Sequence, residues 1–545
     1  MPRFLLLSIK LVLLPLIFYF IFFLILTYPL ITRFSTHLFT DAGDGLQNVW
    51  NLWWVNKAIT QLHTSPWYTN YLHYPSGTSL LAHTLNAFNG LLSIPLLKFF
   101  TLVKTHNIIV IFSFVMAGLT AFWLCWYFTK SLPASYIGGY IFTFSSYHFT
   151  HTTGLLQQVS LEWLPLFILS WYIFINKPSL LSAHICALTL FLLILVDYYF
   201  FFYSLLIGII LLIFHLLQKA KQFISSIKII HIIVFITTFS LTSGVLLFSF
   251  FKLLSSDVLM GIHDAKAYSL DLLALFIPGG FWRFASLTKL YWSELSARNI
   301  AEESVYIGIS VTILLVYLWF NRKKLSINVS PWYFILIFFA ILSLGPVLHI
   351  WGKEIPVIPM PYTYLEKIIP VVKQSGVPIR MTVIVTLVAA LLSSIAASLL
   401  LKKKLYPELF FLLLLLFIEY LPKQIVTTKP SVPTYIDVLK NAPGNTGIID
   451  LVSDPHWSLY YQTIHQKPLA FGYISRLPYS VYLKDQEIDT ALKLNDYQKL
   501  CQNYRIRYLL TPNQVASLKS LYDDGKVRLY DLGGKFCEAL PKNKY

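Results

Sequence analysis

Repeated apolar runs of about 20 residues constrain this chain more than any other feature of its sequence. A helix of that length spans a bilayer, because each residue advances the helix by about 1.5 Å and the hydrocarbon core is about 30 Å thick. Only 12% of the residues are charged, about half the fraction usual in a soluble protein. We therefore predict a polytopic α-helical membrane protein with eleven spans, at residues 8–31, 107–128, 133–148, 158–175, 180–196, 199–217, 230–253, 305–320, 331–349, 382–401 and 406–421.

The basic residues between these spans predict the orientation of the chain. Lys and Arg cluster at 130, 177, 219–228, 322–324 and 402–404, and all of these positions fall on one side of the membrane. Because positively charged loops stay in the cytosol, we predict a cytosolic N-terminus. The net charge of +17 thus serves orientation, and we expect no nucleic-acid partner. The segment 88–104 would invert every later loop if it crossed the membrane, so it is predicted to be an interfacial or re-entrant helix.

The composition divides the chain after residue 423. Residues 1–423 carry the spans and three long outer segments, 32–106, 254–304 and 350–381, while residues 424–545 form a soluble domain that eleven spans place outside the cytosol. We predict an α/β fold for this domain, with GIIDLV, RYLLTP and KVRLYDL extended and with LNDYQKLCQNYRI and NQVASLKSLYDDG helical. Its two cysteines, Cys501 and Cys537, form a disulfide if that compartment is oxidising and are free thiols otherwise.

The acidic residues predict which face carries the chemistry. Residues 1–423 contain fourteen Asp or Glu residues, and thirteen of them fall at or beyond the outer boundary in this topology. Acidic residues contribute little to the orientation of insertion, so the asymmetry needs another reason. We predict that the outer face is the working face.

Asp41 and Asp44 are the first candidate site residues. They open the first outer segment in the stretch TDAGDGLQNVWNLWW, which continues as a Trp-rich amphipathic helix. Such a pair of carboxylates can accept a proton, bind a cation or hydrogen-bond a sugar hydroxyl. The alternative, of equal weight, is that Asp44 is the N-cap of a helix over 46–60.

Further candidates follow at the outer ends of other spans. His83 could hydrogen-bond a phosphate or a sugar, although a lone interfacial histidine is more often structural. His148 and His151 lie at the outer junction of two spans, where ionisable groups are costly and tend to be functional, and the alternative is a polar hinge between helices. Glu303 and Arg380 stand at the mouths of two further spans, and the fork of the Arg380 guanidinium suits a phosphate as well as a membrane anchor.

These segments resemble the GT-C superfamily of glycosyltransferases that use polyprenyl-phosphate sugars. The likeness lies in TDAGDGLQ, in the Trp-rich helix and in the many-helix body, and more narrowly in GDGLQNVWNLWW, YPSGTSL, FSSYHFTHTTGLLQQ, EESVYIG and VPIR, which are typical of a largely uncharacterised group of bacterial membrane proteins. The chain has no nucleotide-binding GxxxxGK[ST] loop, no HExxH and no GxSxG, so any activated substrate is expected to be membrane-borne.

The resemblance implies an inverting transfer from a lipid-linked sugar donor to a glycan, lipid or protein acceptor, in contact with membrane lipids of the inner (plasma) membrane. It also implies that a carboxylate of the first outer segment, Asp41 or Asp44, is the general base or a metal ligand, and we predict Asp44 as the base, with Asp41 as the second choice. Members of the superfamily differ in metal use, so either a divalent cation (Mg²⁺ or Mn²⁺) or none is consistent with it. A transporter or flippase for lipid-linked glycans and a non-catalytic envelope scaffold remain as alternatives.

Overall fold

The chain forms two compact units in the computed structural model, which describes residues 7–293, 301–325, 327–356, 359–516 and 518–537. The helical unit comprises Met1–Ser35, Asn107–Val245 and Ile262–Val426. The α/β unit comprises Thr36–His106, Leu246–Gly261 and Thr427–Tyr545. The last boundary lies three residues from the predicted one, at 426 instead of 423. The grouping differs, however, because most of the first predicted outer segment belongs to the α/β unit and not to the part that carries the spans.

Helices occur at each of the eleven predicted spans. Five of them are long and apolar enough to cross a bilayer within the described part of the chain: Ile9–Thr27, Leu102–Thr129, Tyr198–Ser226, Ile229–Ser256 and Pro378–Lys402. The six others are shorter: Leu132–Thr143, Trp163–Asn176, Leu180–Val196, Ile309–Asn321, Ser330–Ser343 and Tyr406–Glu419. The protein is therefore an integral membrane protein with a largely helical body, while the total of eleven spans stays a prediction.

The helix Pro378–Lys402 forms the centre of the helical unit. Of its most apolar 18-residue stretch, 94% is buried, against 17% for the helix Ile229–Ser256. It packs against the helices Leu132–Thr143, Ile309–Asn321 and Ser330–Ser343. A Cβ on Gly138 would lie 2.9 Å from the Cβ of Ser394, so the first of these crossings requires glycine. Small residues allow such close approach where lipid provides no hydrophobic force between helices.

Short elements connect the long helices of this unit and carry several candidate residues. The helix Ser146–His151 begins at Ser145, whose side-chain oxygen accepts a hydrogen bond from the N–H of His148. The other elements are the helical segments Leu30–Arg33, Leu156–Val159, Leu272–Leu275, Ala285–Thr288, Lys289–Trp292, Arg322–Lys324, Pro361–Ile368 and Pro370–Ser375, and the strands Leu348–Ile350 and Lys353–Ile355, which pair antiparallel.

A four-stranded sheet organises the α/β unit. Its order is Gly447–Asp450, Ile506–Thr511, Arg528–Asp531 and Ser520–Asp523, with the first pair parallel and the others antiparallel. Two small antiparallel pairs join Tyr68–Thr69 to Thr78–Ser79 and Leu259–Met260 to Leu477–Pro478. The helices are Asp44–Thr60, Ala87–Leu97, Thr434–Asn441, Pro455–His465, Tyr479–Lys493, Tyr497–Gln502 and Gly533–Phe536.

The prediction of a helix over NQVASLKSLYDDG is wrong. Residues Ser520–Asp523 form an edge strand that pairs with Arg528–Asp531. An Asp-Gly turn connects the two strands, with Gly525 at φ +85° and with Asp524 accepting hydrogen bonds from the N–H groups of Lys526 and Val527. Asp-Gly between two short extended segments is a strong hairpin signal, and here it prevails over the helical pattern of the preceding residues. The other four predicted elements of this domain are confirmed in type.

The apolar segment predicted to be interfacial forms the helix Ala87–Leu97, which ends before a separate helix starts at Leu102. Its 11 residues extend about 16 Å, roughly half the thickness of the hydrocarbon core. The segment is thus too short to cross the membrane by itself, and its interfacial or re-entrant position stays a prediction.

Cys501 and Cys537 form a disulfide, while Cys125 and Cys186 are buried free thiols. The disulfide joins the helix Tyr497–Gln502 to the residue that follows the helix Gly533–Phe536. It lies beside a buried core to which Ile449, Leu500 and Leu509 also belong. A cross-link that closes a loop of this size contributes about 2–4 kcal/mol to stability, mainly by restricting the unfolded chain.

We expect Cys501 and Cys537 to be oxidised in cells if the α/β unit faces an oxidising compartment. The measurement is alkylation of denatured membranes with and without prior reduction, followed by mass spectrometry of the cysteine peptides. Cys501 and Cys537 should become alkylated only after reduction, and Cys125 and Cys186 should react in both samples as internal controls. Alkylation of all four cysteines without reductant would contradict the extracytosolic position of this unit.

Candidate functional site

Asp41 holds the start of the helix Asp44–Thr60. Its Oδ1 accepts hydrogen bonds from the N–H groups of Gly43 (3.1 Å) and Gly45 (3.0 Å). A Cβ on Gly45 would lie 2.9 Å from that oxygen and still closer to the side chain of Thr40, so this approach requires glycine. Burial raises the pKa of Asp41, and the two N–H groups oppose the shift in part. Asp41 therefore performs the capping role that the sequence had suggested for Asp44.

Asp44 is the first residue of this helix, and Gly43 precedes it in the N-cap position. Its carboxylate is 42% exposed, and Oδ1 accepts a hydrogen bond of 3.1 Å from the hydroxyl of Tyr473. The positive end of the helix dipole favours an ionised carboxylate at this position. Asp44 is thus a charged, accessible acceptor of protons or hydrogen bonds.

His456 stands next to Asp44 and was missed in the sequence analysis. Its Nε2 is 3.6 Å from Oδ1 of Asp44, and its Nδ1 is 3.1 Å from Oδ1 of Asp454. Asp454 also accepts the N–H of His456 (2.9 Å), since it is the N-cap of the helix Pro455–His465. The ring of Tyr473 packs against the imidazole with 4.4 Å between centroids. The imidazole therefore lies between two carboxylates.

The charges around His456 raise its pKa above the ordinary 6.5. The interaction with Asp44 is the largest cause, burial opposes it, and Asp454 adds to the increase. Nearby carboxylates favour the charged imidazolium, whereas burial favours the neutral ring. The sequence shows here only an Asp-Pro pair that can start a helix. No local pattern predicts that His456 contacts Asp44, which is distant in the sequence.

The helices Asp44–Thr60 and Pro455–His465 pack side by side and in parallel. Trp50 donates its indole N–H to Oε1 of Gln462 (2.7 Å), and both side chains are fully buried. One to two turns further on, Lys57 donates to Oε1 of Gln466 (2.7 Å), just past the end of the second helix. These contacts fix the register of the two helices, so that Asp44 and His456 meet at their N-terminal ends.

His83 is a structural part of the same unit. It is 4% exposed, and burial lowers its pKa to about 3, so the ring is neutral. Nδ1 accepts the N–H of Ser475 (3.1 Å), which leaves Nε2–H to donate to Oδ1 of Asn51 (3.0 Å). His83 thus joins the helix Asp44–Thr60 to the segment that carries Tyr473, and its predicted contact with substrate stays a prediction.

In the helical unit, Arg380 forms a buried ion pair with Glu302. Nε and Nη2 of Arg380 donate to Oε1 of Glu302 at 3.0 and 2.6 Å, and the two residues are 6% and 4% exposed. His151 lies 3.2 Å from the other oxygen of Glu302. Burial raises the pKa of Glu302, but Arg380 and His151 lower it by more, so the pKa lies well below its usual range. Glu302 therefore stays ionised.

Two further candidates of the helical unit have other surroundings. Glu303, predicted from the sequence at the mouth of a span, lines a small cavity together with Asp271, His349 and Glu354. His148 stacks on Phe114 with 3.7 Å between centroids, and each of its ring nitrogens lies 2.8 Å from a backbone carbonyl oxygen. The predicted substrate contacts of Glu303, His148, His151 and Arg380 stay predictions.

The prediction of a divalent cation, or of none, stays a prediction. Among the residues that the structure describes, no three His, Cys, Asp or Glu side chains converge as ligands. Asp41, one of the two predicted ligands, already binds two backbone N–H groups.

We expect Asp44→Asn and Asp454→Asn each to lower the pKa of His456, because each removes a negative charge that favours the imidazolium. The measurement is a pH titration of the ¹³Cε1 shift of histidine in detergent-solubilised protein, with the His456 signal assigned by its loss in His456→Gln. Asp489→Asn, on the exposed face of another helix, is the matched control and should leave the pKa unchanged. A His456 pKa that is equal in all of these variants would contradict the described contacts.

We expect Glu302→Gln and Arg380→Gln each to destabilise the helical unit by about 3–5 kcal/mol, since each leaves a buried charge without its partner. The double variant should lose less than the sum of the two, because two neutral amides carry no unbalanced charge. Thermal unfolding in detergent measures all three, and Asp489→Asn, which breaks an exposed pair with Lys493, should cost at most about 1 kcal/mol. Additive losses in the double variant would argue against the ion pair.

Solved structures similar to this one include two that were solved with a lipid phosphate bound. ArnT from Cupriavidus metallidurans, bound to undecaprenyl phosphate, matches with a TM-score of 0.50 and 9% identity over 96% of this chain and 99% of its own. The archaeal oligosaccharyltransferase AglB from Archaeoglobus fulgidus, in complex with an inhibitory peptide and a dolichol-phosphate, has a TM-score of 0.45 and 12% identity, over 91% of this chain and 69% of its own.

The likeness to ArnT, at 9% identity, shows a shared fold. No curated protein matches the chain by sequence. A family model described as a domain of unknown function, DUF6311, does match, over residues 15–420. Because this match covers more than half of the chain, the protein belongs to that family.

Proposed function

We propose that this protein is a membrane glycosyltransferase that transfers a sugar from a polyprenyl-phosphate-linked donor to an envelope acceptor. The observation that carries the proposal is Asp44, a carboxylate that is 42% exposed at the start of a helix and lies 3.6 Å from Nε2 of His456. The fold shared with ArnT, which was solved with undecaprenyl phosphate bound, supports a lipid-phosphate donor. We place the reaction on the outer face of the inner membrane, with the α/β unit in the extracytosolic space.

The proposed reaction is a single displacement with inversion. Asp44 accepts the proton of the acceptor hydroxyl, and the oxygen attacks C1 of the sugar. The bond between C1 and the phosphate oxygen breaks, and the polyprenyl phosphate leaves with the bonding electrons. This mechanism needs one carboxylate as base and none as nucleophile. Asp41 fits neither role, because Oδ1 is engaged by two N–H groups and its removal would loosen the helix start.

Arg380 has a more restricted role in this proposal. The sequence suggested that its guanidinium binds the donor phosphate, but two of its nitrogens already donate to Glu302. A buried pair of opposite charges is neutral as a whole, so it attracts an anion less than a free guanidinium does. Phosphate binding would require Arg380 to share its donors between Glu302 and the ligand.

We expect Asp44→Asn to lower sugar transfer by about 10²–10⁴-fold, the contribution typical of a positioned general base. The measurement is transfer of labelled sugar from a panel of polyprenyl-phosphate sugars in proteoliposomes. Asp41→Asn should keep most of the activity, because Asn caps a helix nearly as well as Asp. Asp489→Asn is the control for an exposed carboxylate of the same unit.

Two outcomes would count against the proposal. Full activity of a correctly inserted Asp44→Asn variant would remove Asp44 as the base. Failure of the wild type to transfer sugar from any donor of the panel would favour a transporter of lipid-linked glycans or an envelope scaffold.

A further inference from the structure

We infer that His456 is a second catalytic residue, which takes the acceptor proton from Asp44 and releases it to solvent. The inference rests on the proposed function, because it names a further step of the same reaction. It also assigns a catalytic contribution to residues 427–545, the part of the α/β unit that follows the spans.

The position of Nε2 is the first observation that carries the inference. This nitrogen is buried and makes no hydrogen bond to any residue that the structure describes. It faces Oδ1 of Asp44 across 3.6 Å, just beyond hydrogen-bond distance. A buried polar atom without a partner is costly, and in native proteins such atoms often mark a catalytic site or a place for a bound molecule. A small closure, or an acceptor hydroxyl placed beside both groups, would complete the contact.

The orientation of the ring is the second observation. Asp454 Oδ1 is 3.1 Å from Nδ1, and it is fixed because it also caps the helix through the N–H of His456. A carboxylate at Nδ1 selects the tautomer with a proton on that nitrogen, and this leaves the lone pair of Nε2 directed toward Asp44. The side of the ring that faces Asp44 is thus prepared to accept a proton.

The charged and titratable groups that face the imidazole are Asp44, Asp454, Asp41 and the hydroxyl-bearing ring of Tyr473. Asp450, on the neighbouring strand, is engaged by Ser458 and by the N–H groups of Val452 and Ser453. Three carboxylates around the ring favour the imidazolium, so His456 holds a transferred proton well. A carboxylic acid in water holds a proton poorly at neutral pH, since the ordinary pKa of an Asp side chain is about 4.

The proton balance is as follows. The acceptor hydroxyl gives its proton to Asp44, its oxygen bonds to C1 of the sugar, and the polyprenyl phosphate departs with the electron pair of the broken bond. Asp44 then passes the proton to Nε2, which regenerates the carboxylate and leaves His456 as an imidazolium. Nε2 is buried while the side chain of His456 as a whole is 22% exposed, so water that enters when the product leaves takes the proton from Nε2 before the next turnover. The relay consumes no other reactant.

The inference predicts a pH dependence with a definite sign. His456 must be neutral to accept the proton, so activity should rise with pH through the raised pKa of His456, above 6.5. Loss of the imidazole should remove that dependence and move the acid limb of the profile to lower pH. A purely structural role of His456 would lower activity without moving this limb.

The experiment compares kcat against pH for wild type, His456→Ala and Asp454→Asn in proteoliposomes, with and without added imidazole. His456→Ala should lose about 10- to 1,000-fold in kcat, its acid limb should shift to lower pH by at least one unit, and imidazole should restore activity at least tenfold. Asp454→Asn should shift the acid limb of the kcat profile to lower pH, with a smaller loss of kcat than His456→Ala. His63→Asn is the matched control, because His63 is exposed and lies in a left-handed conformation that Asn tolerates.

The outcomes separate the two proposals. If Asp44→Asn is inactive while His456→Ala retains wild-type kcat and an unchanged acid limb, the relay is overturned and the proposed function stands. A folded but inactive His456→Ala that imidazole does not rescue, with an unmoved limb in Asp454→Asn, also overturns it. An activity that falls as pH rises through the His456 pKa would instead show that the imidazolium is the required form. A wild type that transfers no sugar overturns both proposals.

Discussion

The hydrogen bonds that Asp41 accepts at the start of the helix Asp44–Thr60 determine what the neighbouring residues can do. A helix begins with N–H groups that have no partner within it, and a nearby side chain usually satisfies them. Asp41 accepts the N–H groups of Gly43 and Gly45 at this start, and the helix begins at Asp44. The glycine at 45 makes the approach of Asp41 sterically feasible. The acidic stretch TDAGDG thus divides into a structural carboxylate and an available one.

Burial likewise separates structural carboxylates from accessible ones among the other acidic residues predicted on the outer face. Glu302 is 4% exposed, and its charge is balanced by Arg380 and His151 at hydrogen-bond distance. Removing two ions from water costs several kcal/mol for each ion, and only close, well-directed contacts offset that cost. Such a pair is suited to fixing the segments that carry it. Asp44, by contrast, keeps much of its hydration and can exchange partners, as a general base must.

The sequence predicts much of the fold because a bilayer leaves few alternatives. Apolar runs mark helices at all eleven predicted positions, and buried strands such as Gly447–Asp450 follow directly from their composition. The structure is harder to predict where two local sequence signals favour different elements. Around Gly525 the Asp-Gly turn of a hairpin prevails over a helical pattern in the preceding residues. The ion pair between Arg380 and Glu302 could not be predicted from the sequence. Residues 302 and 303 are adjacent carboxylates, and only the local course of the chain determines which of them faces Arg380.

The same limit explains why Asp44 was identified and His456 was not. Asp44 stands in a short acidic motif, whereas His456 gains its significance only from the parallel packing of two helices, which the Trp50–Gln462 and Lys57–Gln466 contacts hold in register. That packing brings two helix N-termini, each with its partial positive charge, to a place where Asp41, Asp44 and Asp454 gather. The helix ends stabilise a concentration of carboxylates that would otherwise repel one another. The imidazole of His456 lies among these carboxylates, which increase its affinity for a proton, and its side chain stays partly exposed to water. The proposed relay from a carboxylate base requires both properties.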